Sequence, residues 1–167
     1  MKLTFVLAHN KTDEIGELFK AYTDMLVEGS PEFRNYLNLQ NYDEELQHLE
    51  YKYGEPEGRL YTAYIDDVLC GCIALRKLDG ESCELKRFYI KPEFRGKGLG
   101  RIFVEKIIDD AREIGYKAMY LDTLPFLDTA IGLYKKMGFE EIESYNGSPM
   151  EGLVYLKLEL KGDSDGE

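Results

Sequence analysis

The sequence predicts a mixed α/β fold, with a central sheet of about seven strands flanked by about four helices. Three observations support this class. A glycine-rich turn joins a strand to an amphipathic helix, turn signals separate three consecutive strands, and the predicted elements follow the order β-α-α-β-β-β-α-β-α-β-β. The length suits one domain, which we place at residues 1–160, and we expect the acidic tail at 161–167 to be disordered.

The N-terminal half predicts one strand, two helices and an antiparallel meander. Thr12 caps the first helix and Gly29 ends it, and its apolar residues recur at helical spacing. Asp66-Asp67 forms a hairpin turn, and a second turn at 78–81 leads into the third strand of the meander. The predicted elements are a strand at 3–8, helices at 12–29 and 43–53, a helix or turn at 31–39, and strands at 59–65, 68–76 and from 84 onward.

The C-terminal half predicts helices alternating with strands. The helix after the strand at Glu84 makes a βαβ crossover, so we expect that strand and the next one to be parallel neighbours. Gly138 ends the second helix of this half. The predicted elements are helices at 98–115 and 128–137, and strands at 118–121, 139–145 and 153–160.

The charge balance is acidic, with 32 Asp and Glu against 21 Lys and Arg, and a net charge of −11. Nucleic acids and anionic membranes select basic surfaces, so we expect neither as a partner. No apolar run approaches the roughly 20 residues that a membrane span needs. The oligomeric state stays open, a homodimer included.

The three cysteines and two histidines predict no metal site. Cys70-Gly-Cys72 is C-x-C rather than the redox motif C-x-x-C, and strand alternation would place both side chains on one face. We interpret them as small core residues of a reduced, cytoplasmic protein.

The stretch from Glu84 to Arg101 organises the chain. Its strand half ends at a proline, and three glycines within residues 96–100 precede the helix. The first turn of a helix has unpaired N–H groups and the positive end of the helix dipole, and glycines let the backbone approach an anion closely. The turn therefore predicts a phosphate or pyrophosphate site, to which Lys97 and Arg101 add positive charge.

Known glycine motifs distinguish the kinds of phosphate site. The P-loop pattern is absent, and the spacing fits a dinucleotide-binding fingerprint poorly. Arg95, Gly98 and Gly100 resemble the pyrophosphate loop Arg/Gln-x-x-Gly-x-Gly/Ala of the GNAT superfamily of acyl-CoA-dependent N-acyltransferases. Residues 133–139, Leu-Tyr-Lys-Lys-Met-Gly-Phe, are similar to that family's Leu-Tyr-x-x-x-Gly-Phe, and the element order agrees over about residues 3–160. For the loop alone, a plain glycine-rich turn is the alternative.

The resemblance implies transfer of an acetyl group from acetyl-CoA to a primary amine of an unidentified small molecule or peptide, by direct attack in a ternary complex. In the family the pantetheine arm pairs with the strand before the loop, where that strand splays from its neighbour. One backbone N–H there would stabilise the oxyanion that develops from the thioester. The cofactor-binding residues that the resemblance implies are Phe88, Tyr89, Ile90, Arg95, Gly96, Lys97, Gly98, Leu99, Gly100, Arg101 and Thr123.

Two side chains are candidates for acid–base chemistry. An acceptor amine with a pKa of about 10.4 needs a base at neutral pH. Glu84 is our candidate, because it lies six residues before Ile90 on one strand, where both side chains share a face, and its position resembles the glutamate base of histone-type members. A solvated glutamate, or one paired with Lys86, is the alternative. Tyr134 matches the family's tyrosine acid for the leaving thiolate, and a core aromatic is its alternative.

The acceptor site and the exact activity are less constrained. This sequence departs from the family's pattern at Leu127, where many members have an Asn that contacts CoA. A non-catalytic acyl-CoA-binding module and an enzyme with a different acyl donor stay open. The acceptor-site candidates, chosen by position alone and each with a plain surface or core role as the alternative, are Tyr36, Gln40, Tyr42, Tyr145 and Met150.

Overall fold

One sheet of seven strands runs through the part of the protein that the structure describes, in the order β1-β2-β3-β4-β5-β7-β6. This computed structural model describes residues 2–8, 11–29, 45, 47–147 and 152–160. The predicted helix or turn at 31–39 and the tail at 161–167 lie outside these ranges. The strands are β1 (Leu3–Leu7), β2 (Arg59–Ile65), β3 (Val68–Lys77), β4 (Ser82–Ile90), β5 (Ala118–Thr123), β6 (Glu140–Ile142) and β7 (Val154–Glu159). The helices are α1 (Thr12–Gly29), α2 (Leu49–Tyr53), α3 (Leu99–Ile114) and α4 (Asp128–Lys136), with a 3₁₀ turn at Pro92–Phe94.

The strand pairing confirms the mixed α/β fold class. Strands β1 to β4 form an antiparallel meander, and β4 pairs in parallel with β5 through the crossover helix α3. Asp66 and Asp67 have φ angles of 47° and 70°, which suit the mirror-image turn that joins twisted hairpin strands. Two boundaries differ from the prediction. Strand β6 has three residues where the sequence predicted a strand at 139–145, and α2 begins at Leu49 where the sequence predicted a helix at 43–53, of which residues 43, 44 and 46 lie outside the described residues.

The core has a layer on each face of the sheet. Helix α3 packs Phe103, Val104 and Ile107, all fully buried, against residues of β2 to β5 on one face. Burying each such side chain contributes roughly 1.5–3 kcal/mol, so this face anchors the helix whose N-terminus follows the glycine loop. Helices α1 and α2 cover the other face. None of the described helices is both long and apolar enough to cross a membrane.

Strand β4 contains a β-bulge at Arg87, which has the left-handed φ of 58°. The register between β3 and β4 shifts at this point. Leu85 and Ile90 both pack against the cluster under α3, although they are five residues apart. Glu84 precedes Leu85, so it points to the opposite face, which α1 covers. The prediction that Glu84 and Ile90 share a face is therefore wrong, because the bulge inserts one residue and reverses the alternation.

Strand β3 has a second irregularity, at Cys70, where its pairing with β2 shifts register. Cys70 packs under α3 and Cys72 under α1, so the prediction of a shared face is wrong for the same reason. The three cysteines are buried, and burial raises the pKa of Cys70 to about 11 and of Cys72 to about 12, which makes them unreactive thiols. Within the described residues, no group of three or more His, Cys, Asp or Glu side chains is arranged to hold a metal ion.

A buried ion-pair network holds the bulge of β4. The Nε and Nη2 atoms of Arg87 donate to the two carboxylate oxygens of Glu45, at 2.8 and 2.7 Å. Glu45 also accepts from Lys52 Nζ at 2.6 Å and from the Tyr53 hydroxyl at 2.8 Å. Burial would raise the pKa of Glu45, but the hydrogen bonds and charges of Arg87 and Lys52 outweigh burial and lower it to about 2. The network ties the α2 region to β4 at the bulge.

Replacing Glu45 with Gln should lower the free energy of unfolding by about 3 kcal/mol, because Arg87 keeps its buried charge and loses its carboxylate partner. The control Glu105→Gln removes an exposed carboxylate from Arg101 and should cost less than about 1 kcal/mol. Urea unfolding at neutral pH measures both. Equal losses in the two variants would contradict a network that holds the bulge.

The pH dependence of the Glu45→Gln effect gives an independent check. The folded-state pKa of Glu45 lies below its ordinary value of 4.5, at about 2. Its contribution is therefore fully present above about pH 4.5 and is lost as pH falls through 2. The difference in unfolding free energy between wild type and Glu45→Gln should shrink over this window. A constant difference would show that Glu45 is not a charged partner.

Candidate active site

The parallel strands β4 and β5 separate after three paired positions. Their ladder ends at Glu84 and Tyr120. From Leu85 onward, the edge of β4 that faces β5 has no strand partner among the described elements. The gap opens into a cavity of about 890 Å³. An unpaired strand edge of this kind offers N–H and C=O groups to an extended ligand.

The cavity is lined from both faces of the sheet. Phe88 and Tyr134 lie on the α3 face, and Tyr22, Met25 and Lys86 lie on the α1 face. The structure thus brings together all the predicted cofactor-binding residues except Lys97. Those that line the cavity are Phe88, Tyr89, Ile90, Arg95, Gly96, Gly98, Leu99, Gly100, Arg101 and Thr123.

The glycine loop has the backbone geometry of an anion site. Gly96 and Gly98 have φ angles of 80° and 76°, which favour glycine, and a Cβ on either would meet nothing within 4 Å. Gly98 caps α3 without a side-chain hydrogen bond, so the first-turn N–H groups have no side-chain cap. Gly100 is closely packed, because a Cβ there would lie 3.1 Å from Leu133 Cδ2, which would have to shift slightly, and in ordinary contact with Phe88 Cζ at 3.5 Å.

The basic residues of the loop have different roles in the structure. Arg95 Nε donates to the Ile90 carbonyl at 2.8 Å, and its guanidinium lies over the Tyr89 ring at 5.4 Å. Arg95 therefore fastens the loop to the end of β4. Arg101 is exposed and forms an ion pair with Glu105, which lies one helical turn further along α3. Lys97 is exposed and lies outside the cavity lining.

Tyr134 is buried in the wall of the cavity, with 4% of its surface exposed. Its ring centroid lies 5.5 Å from that of Phe139 and 6.3 Å from that of Phe88. Among the described residues, its hydroxyl has no hydrogen-bond partner. Burial raises the pKa of Tyr134, so the hydroxyl stays protonated and can donate to a bound ligand.

Glu84 is buried at the base of the gap, and it is not among the described residues that line the cavity. Its Oε1 accepts from Arg76 Nε at 2.7 Å, and its Oε2 accepts from the Tyr145 hydroxyl. Lys86 Nζ lies 4.0 Å from Oε1. Burial would raise the pKa of Glu84, but the charges of Lys86 and Arg76 and the hydrogen bonds outweigh it and lower the pKa. The carboxylate is therefore ionised at neutral pH.

The end of β5 forms the other side of the gap. Thr123 and Asp122 line the cavity, and Asp122 accepts from Asn146 Nδ2 at 2.7 Å. Leu127 also lines the cavity, at the start of α4, and offers no polar side-chain group there. The hydrogen bond that an Asn makes to CoA in many family members is therefore absent at this position.

One predicted acceptor-site residue can be placed. Tyr145 donates to Glu84, and its ring packs 5.0 Å from that of Tyr120 and 5.6 Å from that of Tyr155. It lies beside the gap but outside the cavity lining. Four further acceptor-site candidates lie outside the described residues: Tyr36, Gln40, Tyr42 and Met150.

Lys86 is a cavity residue that sequence reasoning missed as a site residue. It pairs with Ala74, which belongs to the cluster under α1, and 12% of its side chain is exposed. Burial, followed by the charge of Arg87, lowers the pKa of Lys86 to about 8. The sequence feature that could have identified Lys86 is the pair of adjacent charged residues between Leu85 and Phe88, in a strand that is otherwise apolar at this end.

Comparisons with known proteins identify the family. The sequence profile of the acetyltransferase (GNAT) family matches residues 19–139. An uncharacterised N-acetyltransferase of Dictyostelium discoideum is 32% identical, over 96% of this chain and 100% of that protein. A Streptococcus agalactiae acetyltransferase superposes with a TM-score of 0.77 at 18% identity, over 94% of this chain and 98% of that one. A Salmonella typhimurium protein solved with its cofactor acetyl-CoA superposes with a TM-score of 0.65 at 17% identity, over 96% and 95%. The chain belongs to the GNAT acetyltransferase family.

Substitutions at Gly98 test the anion site. Asp and Asn have the same shape and both tolerate the left-handed backbone, but only Asp adds a negative charge. Gly98→Asp should weaken CoA binding about tenfold more than Gly98→Asn, a difference of about 1.4 kcal/mol. Calorimetric titration with CoA measures the affinities, and thermal unfolding confirms that both variants fold. Equal affinities would contradict a phosphate at the N-terminus of α3.

Proposed function

We propose that this protein transfers the acetyl group of acetyl-CoA to a primary amine, by direct attack in a ternary complex. The observation that carries the proposal is the gap between β4 and β5, which joins the glycine loop at α3 to the Tyr134 hydroxyl in one cavity. Family membership supports acetyl transfer, and the acetyl-CoA-bound relative of the same fold supports the donor.

The described residues fit acetyl-CoA chemically. The uncapped first turn of α3 and the backbone of residues 95–101 would bind the pyrophosphate. The free edge of β4 from Leu85 to Ile90 would pair with the pantetheine amides as an added strand. Acetyl-CoA would supply the activated acetyl thioester.

Residues on the α3 face would assist the acyl transfer. A backbone N–H near Phe88 would stabilise the negative charge that develops on the thioester oxygen, a contact worth several kcal/mol. Tyr134, protonated and without a described partner, would donate its proton to the departing thiolate of CoA. The acceptor amine would approach from the α1 face, where Lys86 and Asp122 line the cavity. It would attack as the unprotonated amine, after losing one proton to water, and the tetrahedral intermediate would lose its second N–H proton to water as the C–S bond breaks.

Glu84 has a positioning role in this proposal. Described side chains engage both of its oxygens, and it lies outside the described cavity lining. Its carboxylate would hold Arg76 and Tyr145 at the base of the gap, next to Lys86. The general-base role stays a prediction, which the variant described below distinguishes from positioning.

The function is tested by incubating the protein with acetyl-CoA and a panel of primary amines, while thiol release and product mass are measured. We expect acetylated amine and free CoA in equal amounts. Binding of CoA without turnover on any amine would favour a non-catalytic module. Mass spectrometry of cofactor retained on purification identifies the acyl group, and a longer chain would overturn the acetyl donor.

Tyr134→Phe should lower kcat by about 100-fold, the lower range for loss of a positioned acid, and should change CoA affinity little. The control Tyr61→Phe removes a buried hydroxyl that donates to Asp110, away from the cavity. It should lower stability but leave kcat near the wild-type value. Unchanged turnover in Tyr134→Phe would make Tyr134 a packing residue.

Glu84→Gln separates positioning from base catalysis. Positioning predicts a higher KM for the best amine of the panel, a smaller change in kcat, and an acidic limb of the kcat profile that persists. Base catalysis predicts a loss of kcat of about 100-fold or more and the disappearance of that limb. We expect the first result. The measurement is kcat and KM between pH 5 and 9, with urea unfolding as the stability control.

A further inference from the structure

Lys86 has an unusual position for a cation. It lies on β4 between Leu85 and the bulge, on the face covered by α1, and its side chain is 12% exposed. It lines the cavity just beyond the point where β4 and β5 separate. Buried ammonium groups are costly unless a partner compensates them. This position therefore raises the question of what pairs with Lys86.

The nearest carboxylate does not satisfy Lys86. Glu84 Oε1 lies 4.0 Å from Lys86 Nζ, which is beyond hydrogen-bond distance. The same oxygen accepts from Arg76 at 2.7 Å, and the other oxygen accepts from Tyr145. No other described carboxylate lies within 4.0 Å of Lys86 Nζ. The ammonium group thus retains its capacity to donate into the cavity.

The described cations near Lys86 already have carboxylate partners. Arg87 and Lys52 share Glu45, and Arg76 binds Glu84. Asp122 faces the same cavity from β5. The ion pairs thus give the neighbouring cations Arg87, Lys52 and Arg76 a hydrogen-bonded carboxylate each, whereas Lys86 has none among the described residues. One ammonium group matches a single carboxylate better than a phosphate dianion.

We propose that the acceptor is an amine that carries a carboxylate, as a free amino acid does, and that Lys86 binds this carboxylate. Lys86 lies on the acceptor side of the gap, so it would bind the acceptor rather than the cofactor. Asp122, across the gap on β5, would attract the amino group as it enters in its ammonium form, and that group would lose a proton to water before it attacks the thioester. The identity of the site as an acceptor site rests on the proposed function.

The test compares amino acids with their own carboxamides, which have nearly the same size but no negative charge. Wild type should prefer the acid by about tenfold or more in kcat/KM, because a charged hydrogen bond is lost with the amide. Lys86→Met keeps much of the apolar stem and removes the charge, so this preference should fall close to one. The control Lys77→Met removes an exposed lysine paired with Glu57 and should keep the wild-type preference.

A binding measurement separates this inference from the proposed function. Calorimetric titration of amino acids into the CoA complex should show binding to wild type and about tenfold weaker binding to Lys86→Met. Turnover of acids and amides at equal rates would overturn the inference and keep the function. Binding that depends on Lys86, without turnover of any amine, would keep the inference and overturn the function. Absence of both turnover and binding would overturn both.

Discussion

The buried ion pair between Arg87 and Glu45 is the interaction on which the site depends. Arg87 takes a left-handed φ of 58°, which residues other than Gly, Asn and Asp seldom adopt. Its two hydrogen bonds to Glu45 offset that cost and fix the bulge. The bulge turns β4 so that Phe88 and Ile90 lie on the α3 face and Lys86 on the α1 face. Because of this reversal, one strand serves both sides of the cavity.

At the gap between β4 and β5, the two faces of the sheet would bind different substrates. On the α3 side, the loop before α3 and the Tyr134 hydroxyl would bind the donor and its leaving group. On the α1 side, Lys86 and the neighbouring carboxylates would select the acceptor. The strands separate directly after Glu84, so the gap beyond it opens to both faces of the sheet. We infer that donor and acceptor meet in this gap without crossing a helix layer.

Sequence reasoning succeeded where local chemistry sets the structure. The glycines at 96–100 predict the loop, because glycine adopts the φ angles at Gly96 and Gly98 more readily than other residues do. The apolar periodicity predicts α3. It failed at the bulge because no glycine marks Arg87, whose φ depends on Glu45, 42 residues away in the chain. Because the bulge was not predicted, Lys86 was not assigned to the site, and Glu84 was placed on the same face of the sheet as Ile90. A tertiary ion pair of this kind leaves only a weak trace in the sequence, which is two charges within an apolar strand.

The central claim is that the gap between β4 and β5 binds CoA, and hydrogen exchange with and without CoA tests it directly. Addition of CoA should slow amide exchange in peptides that contain residues 85–90 and 95–101, because the pantetheine and the pyrophosphate would accept hydrogen bonds from their backbone N–H groups. Strands β1 and β2, outside the cavity lining, should exchange at an unchanged rate. CoA binding that leaves both segments unprotected would contradict the assignment of this gap as the cofactor site.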